Sequence, residues 1–384
     1  MQHRRQRILP VSAVALLALL AGCTSAERVS FPSAVPQPPA PSSTASSADA
    51  DAERFELAGP PQSIITGLRT PWSIVALPAG VDELGSVLVS ERDTGRVLEL
   101  TTGGELRLVG TISSTAAFGE GGLLGLAALD EGTPLLFAYV STADDNRIVR
   151  FELQGSPGSY ELGDSDVLVS GIPRDRTHNG GRLAIGPDGM LYASTGDAQR
   201  TELAQQRDSL AGKILRMTPE GSVPEDNPFD SLVWSYGHRN PQGLAFDPDG
   251  RLWASEFGQN TWDELNLIER GGNYGWPVVE GIADREGYID PVQQWSPSDA
   301  SPSGLGIVGR TLFMASLRGQ TLWLIDVDDP ESSSAQLVGE LGRLRDAVAS
   351  PDGRLLVATS NTDQNGSPRE GDDRVVAIEL APRG

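Results

Sequence analysis

Two histidines, one region rich in carboxylates and amides, and one arginine pair are the parts of this chain whose residue types and spacing could do chemistry. Of three histidines, His3 lies in an N-terminal basic stretch, which leaves His178 and His238. His178 sits in Arg176-Thr177-His178-Asn179-Gly180-Gly181-Arg182, and His238 in Ser235-Tyr236-Gly237-His238-Arg239-Asn240-Pro241-Gln242-Gly243. Each segment runs straight into an apolar stretch with strand character, so both histidines belong at strand entrances. An imidazole that is neutral near pH 7 can take a proton there, although a lone loop histidine more often serves as a structural hydrogen-bonder. Two polar clusters at equivalent positions favour a shared site. The third cluster is Ser255-Glu256-Phe257-Gly258-Gln259-Asn260-Thr261-Trp262-Asp263-Glu264, followed by Gly271-Gly272-Asn273-Tyr274-Gly275-Trp276-Pro277. Carboxylates, amides and glycine-exposed carbonyls suit a hard cation such as Ca²⁺. The spacing is not that of an EF-hand loop, and an acidic surface loop fits equally well. In Arg343-Leu344-Arg345-Asp346, two arginines fall on the same side of a strand. Exposed salt bridges would explain them, but on an apolar strand entering a core they read better as an anion clamp.

These residues need elements to hold them, and an internal repeat supplies the plan. Pro187-Asp188-Gly189-Met190-Leu191-Tyr192-Ala193-Ser194 matches Pro248-Asp249-Gly250-Arg251-Leu252-Trp253-Ala254-Ser255 and Pro351-Asp352-Gly353-Arg354-Leu355-Leu356-Val357-Ala358. Weaker copies begin at Leu84, Thr133 and Arg310. In each, a turn pair joins two short apolar strands, which is a β-hairpin signature. Six phased units of roughly 50–60 residues, with no sustained helical periodicity, predict an all-β, six-bladed β-propeller over 53–384. A β-sandwich with chance Asp-Gly turns would not phase six copies. An N-terminal segment near Phe55–Leu57 is expected to close the ring by pairing with the last blade.

Composition bounds the partners. Thirty Lys+Arg against 52 Asp+Glu give a net charge of −22, which argues against nucleic acid and against electrostatic docking on anionic lipid. Gly 44 and Pro 27 together make a turn-rich chain. A single cysteine excludes a disulfide scaffold and a Cys-rich metal site. Arg4, Arg5 and Arg7 precede the apolar run Ile8–Ala21, which ends in Leu20-Ala21-Gly22-Cys23. The run is too short to span a bilayer and suits a secretory signal; its end resembles a lipoprotein lipobox. Residues 1–22 are therefore expected to be removed, Cys23 to carry lipid, and the Ser/Pro/Ala-rich stretch 23–52 to act as a tether. Removal of 1–22 turns −22 into −25, because it takes three arginines and no acid.

The four clusters, in this order, resemble the soluble glucose dehydrogenase / aldose sugar dehydrogenase family, which uses pyrroloquinoline quinone (PQQ). The resemblance covers most of 70–380 and implies a six-bladed propeller with PQQ and Ca²⁺ in its central cleft. It implies that His178 is the general base for the anomeric hydroxyl of an aldose, and that Arg239 and Asn240 contact the cofactor, Arg239 where negative charge develops. Arg343 and Arg345 would pair with PQQ carboxylates. Main-chain carbonyls of Gly258 and Gln259 would hold the catalytic Ca²⁺, and Glu264 with the Tyr274 carbonyl a structural one. Glu120 stands where the family often has a cofactor-contacting glutamine, before Gly121-Gly122-Leu123-Leu124. A carboxylate beside a tricarboxylate is unfavourable unless protonated, paired or metal-bound. Arg318 replaces an expected cofactor lysine, keeping charge but not shape. Thr177 replaces the acid that precedes the histidine in glucose-specific members, which points to a broader aldose range.

The expectation is therefore a lipid-anchored dehydrogenase on the outer face of the cytoplasmic membrane, making aldonolactone and passing electrons to an external acceptor. A Ca²⁺-dependent propeller lactonase would need a channel carboxylate and metal but no arginine clamp. A non-catalytic propeller binding glycan or protein is the other alternative, and Glu120 is what keeps it open.

Overall fold

The computed structural model describes residues 53–383 apart from 81, 82, 131 and 133; the expected signal segment, the tether and Cys23 lie outside the described residues. Six four-stranded antiparallel sheets follow one another along the chain. The first blade is Pro71–Gly80, Glu83–Glu91, Arg96–Thr101 and Leu106–Thr111, and the second Leu123–Asp130, Pro134–Ser141, Asn146–Gln154 and Glu161–Ile172. The third is Leu183–Ile185, Leu191–Thr195, Lys213–Met217 and Val233–Tyr236, and the fourth Pro241–Phe246, Leu252–Glu256, Asp263–Ile268 and Gln293–Trp295. The fifth is Pro302–Val308, Thr311–Ser316, Leu322–Asp326 and Asp329–Gln336. The sixth takes Leu344–Ala349, Leu355–Thr359 and Val375–Ile378 from the C-terminal region and Gln62–Ile65 from the N-terminal one. The first strands of successive blades contact one another all the way round, so the six-bladed propeller is a closed ring.

The sequence explains why blades form and stack. Second strands such as Leu191–Thr195 and Leu355–Thr359 are buried along their whole length, as short continuous apolar runs should be. Six apolar clusters join neighbouring blades; a blade alone could not bury both faces. The outer strand Asp329–Gln336 is largely polar and partly exposed, which blunts its free edge. Each strong repeat copy forms the turn between first and second strands. Gly250 donates to the Asp247 carbonyl at 2.9 Å and Asp247 to the Arg251 carbonyl at 3.0 Å, with Gly250 at φ +77°. Gly189 and Gly353 repeat the pattern at φ +74° and +80°. That glycine has to be left-handed for the turn to close.

Ring closure differs from the expected pairing. The fourth strand of the last blade is Gln62–Ile65, with Gln62 opposite Ala377 and Ile65 opposite Val375. Phe55–Leu57 instead pairs with Leu380–Pro382 in a separate two-stranded ladder. Ile65 can be buried between the sixth and first blades, whereas Phe55 and Leu57 pack only partly buried against the fifth and sixth.

Candidate active site

The connections entering the first strands and those joining second to third strands gather at one face, around a cavity of about 430 Å³. Trp72, Arg92, Glu120, Gln242, Phe257, Arg318, Arg343, Arg345 and Asp363 are among its lining residues. Of the residues singled out from sequence, Glu120, Arg318, Arg343 and Arg345 thus line one cavity. In a chain of charge −22, this lining sets four guanidiniums against two carboxylates.

His178, Arg239 and Asn240 are not among its lining residues but are bonded to them, His178 to Glu120 and both Arg239 and Asn240 to Phe257. His178 Nδ1 lies 2.8 Å from Asp197 Oδ1, and Asp197 is fully buried. The other carboxylate oxygen accepts Trp276 Nε1–H at 2.8 Å, and the Gln199 backbone N–H adds 2.8 Å to Oδ1. A carboxylate fixed in this way assigns the proton to Nδ1 and leaves Nε2 as the basic nitrogen. Nε2 has no hydrogen-bond partner among the described residues, and the side chain is 17% exposed. Arg239 lies over the Trp276 ring, 5.5 Å from its centroid, and donates to the carbonyl of the cavity-lining Phe257 at 3.1 Å. Burial pushes the Arg239 guanidinium below its ordinary value, with Asp197 and Glu256 opposing.

His238 has a structural part instead. It is fully buried, with Nδ1 2.9 Å from Glu256 Oε2, Nε2 2.8 Å from Ser235 Oγ, and its ring stacked on Tyr274 at 4.7 Å. The second Glu256 oxygen accepts the backbone N–H groups of Arg239 and Asn240. The side chain of Asn240, in turn, accepts the Gly180 N–H at 3.0 Å and so ties the two histidine loops together.

The opposite wall is cationic. Arg343, just before its strand, donates to Asp363 Oδ2 at 3.2 Å, and Arg345 approaches the same oxygen at 3.7 Å. A register shift between Leu344 and Asp346 interrupts the regular alternation there. The pair is therefore partly neutralised by Asp363, which the sequence reading did not foresee. Its Nε atoms, with that of Arg239, are nevertheless buried without partners, an arrangement that costs free energy unless an acceptor arrives. Burial lowers Arg345 to about 9, with Asp363 opposing. Arg318 is exposed and makes no hydrogen bond among the described residues. Below the cavity, Arg182 stacks on Trp72 at 4.3 Å and donates to Asp346 Oδ2 at 2.9 Å and the Gln242 carbonyl at 2.8 Å. This buried pair is the floor; beneath it lies a smaller cavity of about 280 Å³.

The proposed cation ligands form two separate places. Gly258 N–H donates to Asp263 Oδ1 at 2.9 Å, and Gln259 N–H to Glu280 Oε1 at 2.6 Å. The amides of Asn260, Thr261 and Trp262 converge on the same Glu280 oxygen. No described donor reaches the carbonyls of Gly258 or Gln259, which leaves two hard oxygens of the kind Ca²⁺ takes. Glu264, by contrast, is buried behind the site, accepting Gly281 N–H at 2.7 Å and Asn266 Nδ2–H at 3.1 Å. Burial and then Glu256 push it up to about 8, and Asn266 Oδ1 beside it is buried without a partner. The Tyr274 carbonyl likewise receives no described donor. Among the described residues no three His, Cys, Asp or Glu side chains converge as a metal site, so a cation at either place would depend on carbonyls.

Asp197, Asp363, Arg92 and Trp72 were not anticipated. The first three follow the second strands of their blades, so the phase of the repeat was the signal that could have found them.

Fold and site together are those of a propeller dehydrogenase: six closed blades, a buttressed histidine, and arginines with unpaired N–H groups at the strand entrances. The chain belongs to the Glucose / Sorbosone dehydrogenase family, whose profile matches residues 68–367. It is similar to the PQQ-bound aldose sugar dehydrogenase of Streptomyces coelicolor, with a TM-score of 0.79 and 44% identity over 85% of this chain and 98% of that one. It is 29% identical to the aldose sugar dehydrogenase YliI of Escherichia coli over 77% of this chain and 88% of that protein. Against quinoprotein glucose dehydrogenase B of Acinetobacter calcoaceticus the identity is 34%, over 59% of this chain and 54% of that protein.

Proposed function

We propose that this protein is a PQQ- and Ca²⁺-dependent aldose dehydrogenase. The observation that carries this reading is the His178–Asp197 pair, 2.8 Å apart, beside a cavity lined by four arginines in an acidic chain. Unpaired guanidinium N–H groups fit a tricarboxylate, and the free carbonyls of Gly258 and Gln259 fit its calcium. Arg343, Arg345 and Arg318 would hold the carboxylates, with Arg239 and Asn240 on the other side. Bound there, PQQ with Ca²⁺ supplies the acceptor for the hydrogen and electron pair that leave C1 of the sugar. His178 Nε2 takes the proton of the anomeric hydroxyl, and Asp197 stabilises the imidazolium that results. Arg239 offers positive charge without needing to reorient. The arginine wall supports this reading over a lactonase, which has no use for it.

The same reading places the propeller outside the cytoplasmic membrane, held by lipid on Cys23. Its support is the lone cysteine behind Leu20-Ala21-Gly22; among the described residues no helix is long and apolar enough to cross a membrane. Replacing Cys23 by Ser should release the protein from membranes and abolish incorporation of labelled fatty acid. The activity itself is tested by loading the purified protein with PQQ and Ca²⁺ and following aldose-dependent dye reduction. Failure to bind PQQ at micromolar concentration would overturn it.

A further inference from the structure

Glu120 stands where the histidine wall meets the arginine wall. Its Oε2 accepts the His178 backbone N–H at 2.9 Å, and its own N–H donates to the Arg176 carbonyl at 2.8 Å. Oε1 receives no hydrogen bond from any described residue, and the side chain lines the cavity. His178 has φ +59°, a left-handed conformation that a non-glycine residue keeps only where its neighbours hold it. Those neighbours are few. Glu120 takes the N–H, the Ala198 N–H reaches the carbonyl at 3.1 Å, and Gly196 leaves room, since a Cβ there would sit 2.0 Å from the His178 oxygen. The same carboxylate shares the cavity lining with the guanidiniums of Arg92, Arg318, Arg343 and Arg345.

We propose that Glu120 is the positioning residue of His178, and that its charge sets how strongly the cavity holds anions. The inference rests on the reading of His178 as the base. One carboxylate performs both tasks, and a carboxamide separates them. Glu120→Gln keeps an oxygen for the His178 N–H but leaves four guanidiniums facing one carboxylate instead of two. Glu120→Ala removes the same charge and the acceptor as well, leaving the His178 N–H unpaired in a conformation with one support fewer.

The test uses the full chain with two probe anions, 1,3,5-benzenetricarboxylate and PQQ, titrated by tryptophan fluorescence or calorimetry. Both variants should bind the tricarboxylate about tenfold tighter than wild type, the scale of one charge removed at close range in a partly screened site. At saturating PQQ, Ca²⁺ and sugar, Glu120→Gln should lose clearly less turnover than Glu120→Ala, an amide oxygen being a weaker acceptor for the His178 N–H than a carboxylate but still an acceptor. Glu120→Ala should lose at least about tenfold in kcat, because the part-buried His178 N–H is left without its acceptor, and the His178 imidazole resonances, assigned with His178→Ala, should move in Glu120→Ala only. Tricarboxylate affinity in Glu120→Gln within twofold of wild type would overturn the charge assignment. Equal turnover and unmoved resonances in Glu120→Ala would overturn the positioning role. If PQQ binds none of the three proteins while the tricarboxylate does, the quinoprotein reading fails; the tricarboxylate series and the resonances still decide the two tasks of Glu120.

Discussion

The two walls of the cavity are built on different physical principles. On the third- and fourth-blade side the groups are largely satisfied: His178 rests on Asp197, Asp197 on Trp276 and Gln199, and Arg239 on Trp276 and Phe257. On the sixth-blade side Arg343 and Arg345 share a single carboxylate, Asp363, and each keeps a buried N–H without a partner. A group that must accept a proton in one orientation profits from a rigid surrounding that fixes its tautomer and needs no reorganisation. A group that must bind an anion profits from donors left open, whose cost is recovered when the ligand arrives. Arg239, with one engaged nitrogen and an open Nε, belongs to both.

Breaking the first wall should have the largest effect. His178→Ala should lower turnover by roughly 10²- to 10⁴-fold, the usual contribution of a general base, while PQQ affinity changes by less than about threefold; steady-state dye reduction and a cofactor titration measure the two separately. Normal turnover in this variant would remove the base assignment. Breaking the second wall should do the reverse. Arg345→Met should weaken PQQ binding by about 10- to 150-fold, the worth of a hydrogen bond to a charged group, with turnover at saturating cofactor nearly kept.

Asp363→Asn sharpens the contrast from the other direction. Freed of their shared carboxylate, Arg343 and Arg345 should bind PQQ up to roughly fivefold tighter, the scale of a modest ion pair. The variant also has a pH signature. Burial pushes Asp363 up, and Arg345 and Arg343 more than offset it, so its folded value lies below the ordinary one. Such a group contributes stability above its unfolded value and loses it as pH falls through the folded one. Acid unfolding of the wild type should therefore be steeper below about pH 4 than that of Asp363→Asn, as followed by circular dichroism. The smallest effect belongs to Arg318→Lys, because Arg318 is exposed and has no described partner. A change in PQQ affinity above about fivefold, beyond the usual worth of an exposed pair, would show that its fork geometry matters.

Much of the architecture is legible in the sequence, and the site less evenly. The three strong Pro-Asp-Gly copies located the turns between first and second strands because a left-handed glycine is a local requirement. The closing strand is less legible: Phe55–Leu57 and Gln62–Ile65 are both plausible short strands, and only burial between the last and first blades selects the second. His178 was legible as a loop histidine at a strand entrance, but its partner Asp197 was not. Asp197 follows a different strand, and their distance depends on how the third blade folds back. Arg343 and Arg345 were legible as a pair, whereas Asp363 between them belongs to another loop of the same blade.

The sequence by itself determined the strand pattern, the number of blades, the acidity of the chain and the family resemblance, because turn chemistry, apolar runs and motif order are local properties. Only the tertiary structure decided which of two histidines keeps a ring nitrogen without a partner, which carboxylate orients it, and which N–H groups stay unpaired. Those outcomes depend on burial and on distances between segments far apart in the chain. His178 and His238 sit in similar loops with similar neighbours. One meets a buried aspartate and keeps Nε2 free; the other meets Glu256 and Ser235 and has both nitrogens occupied.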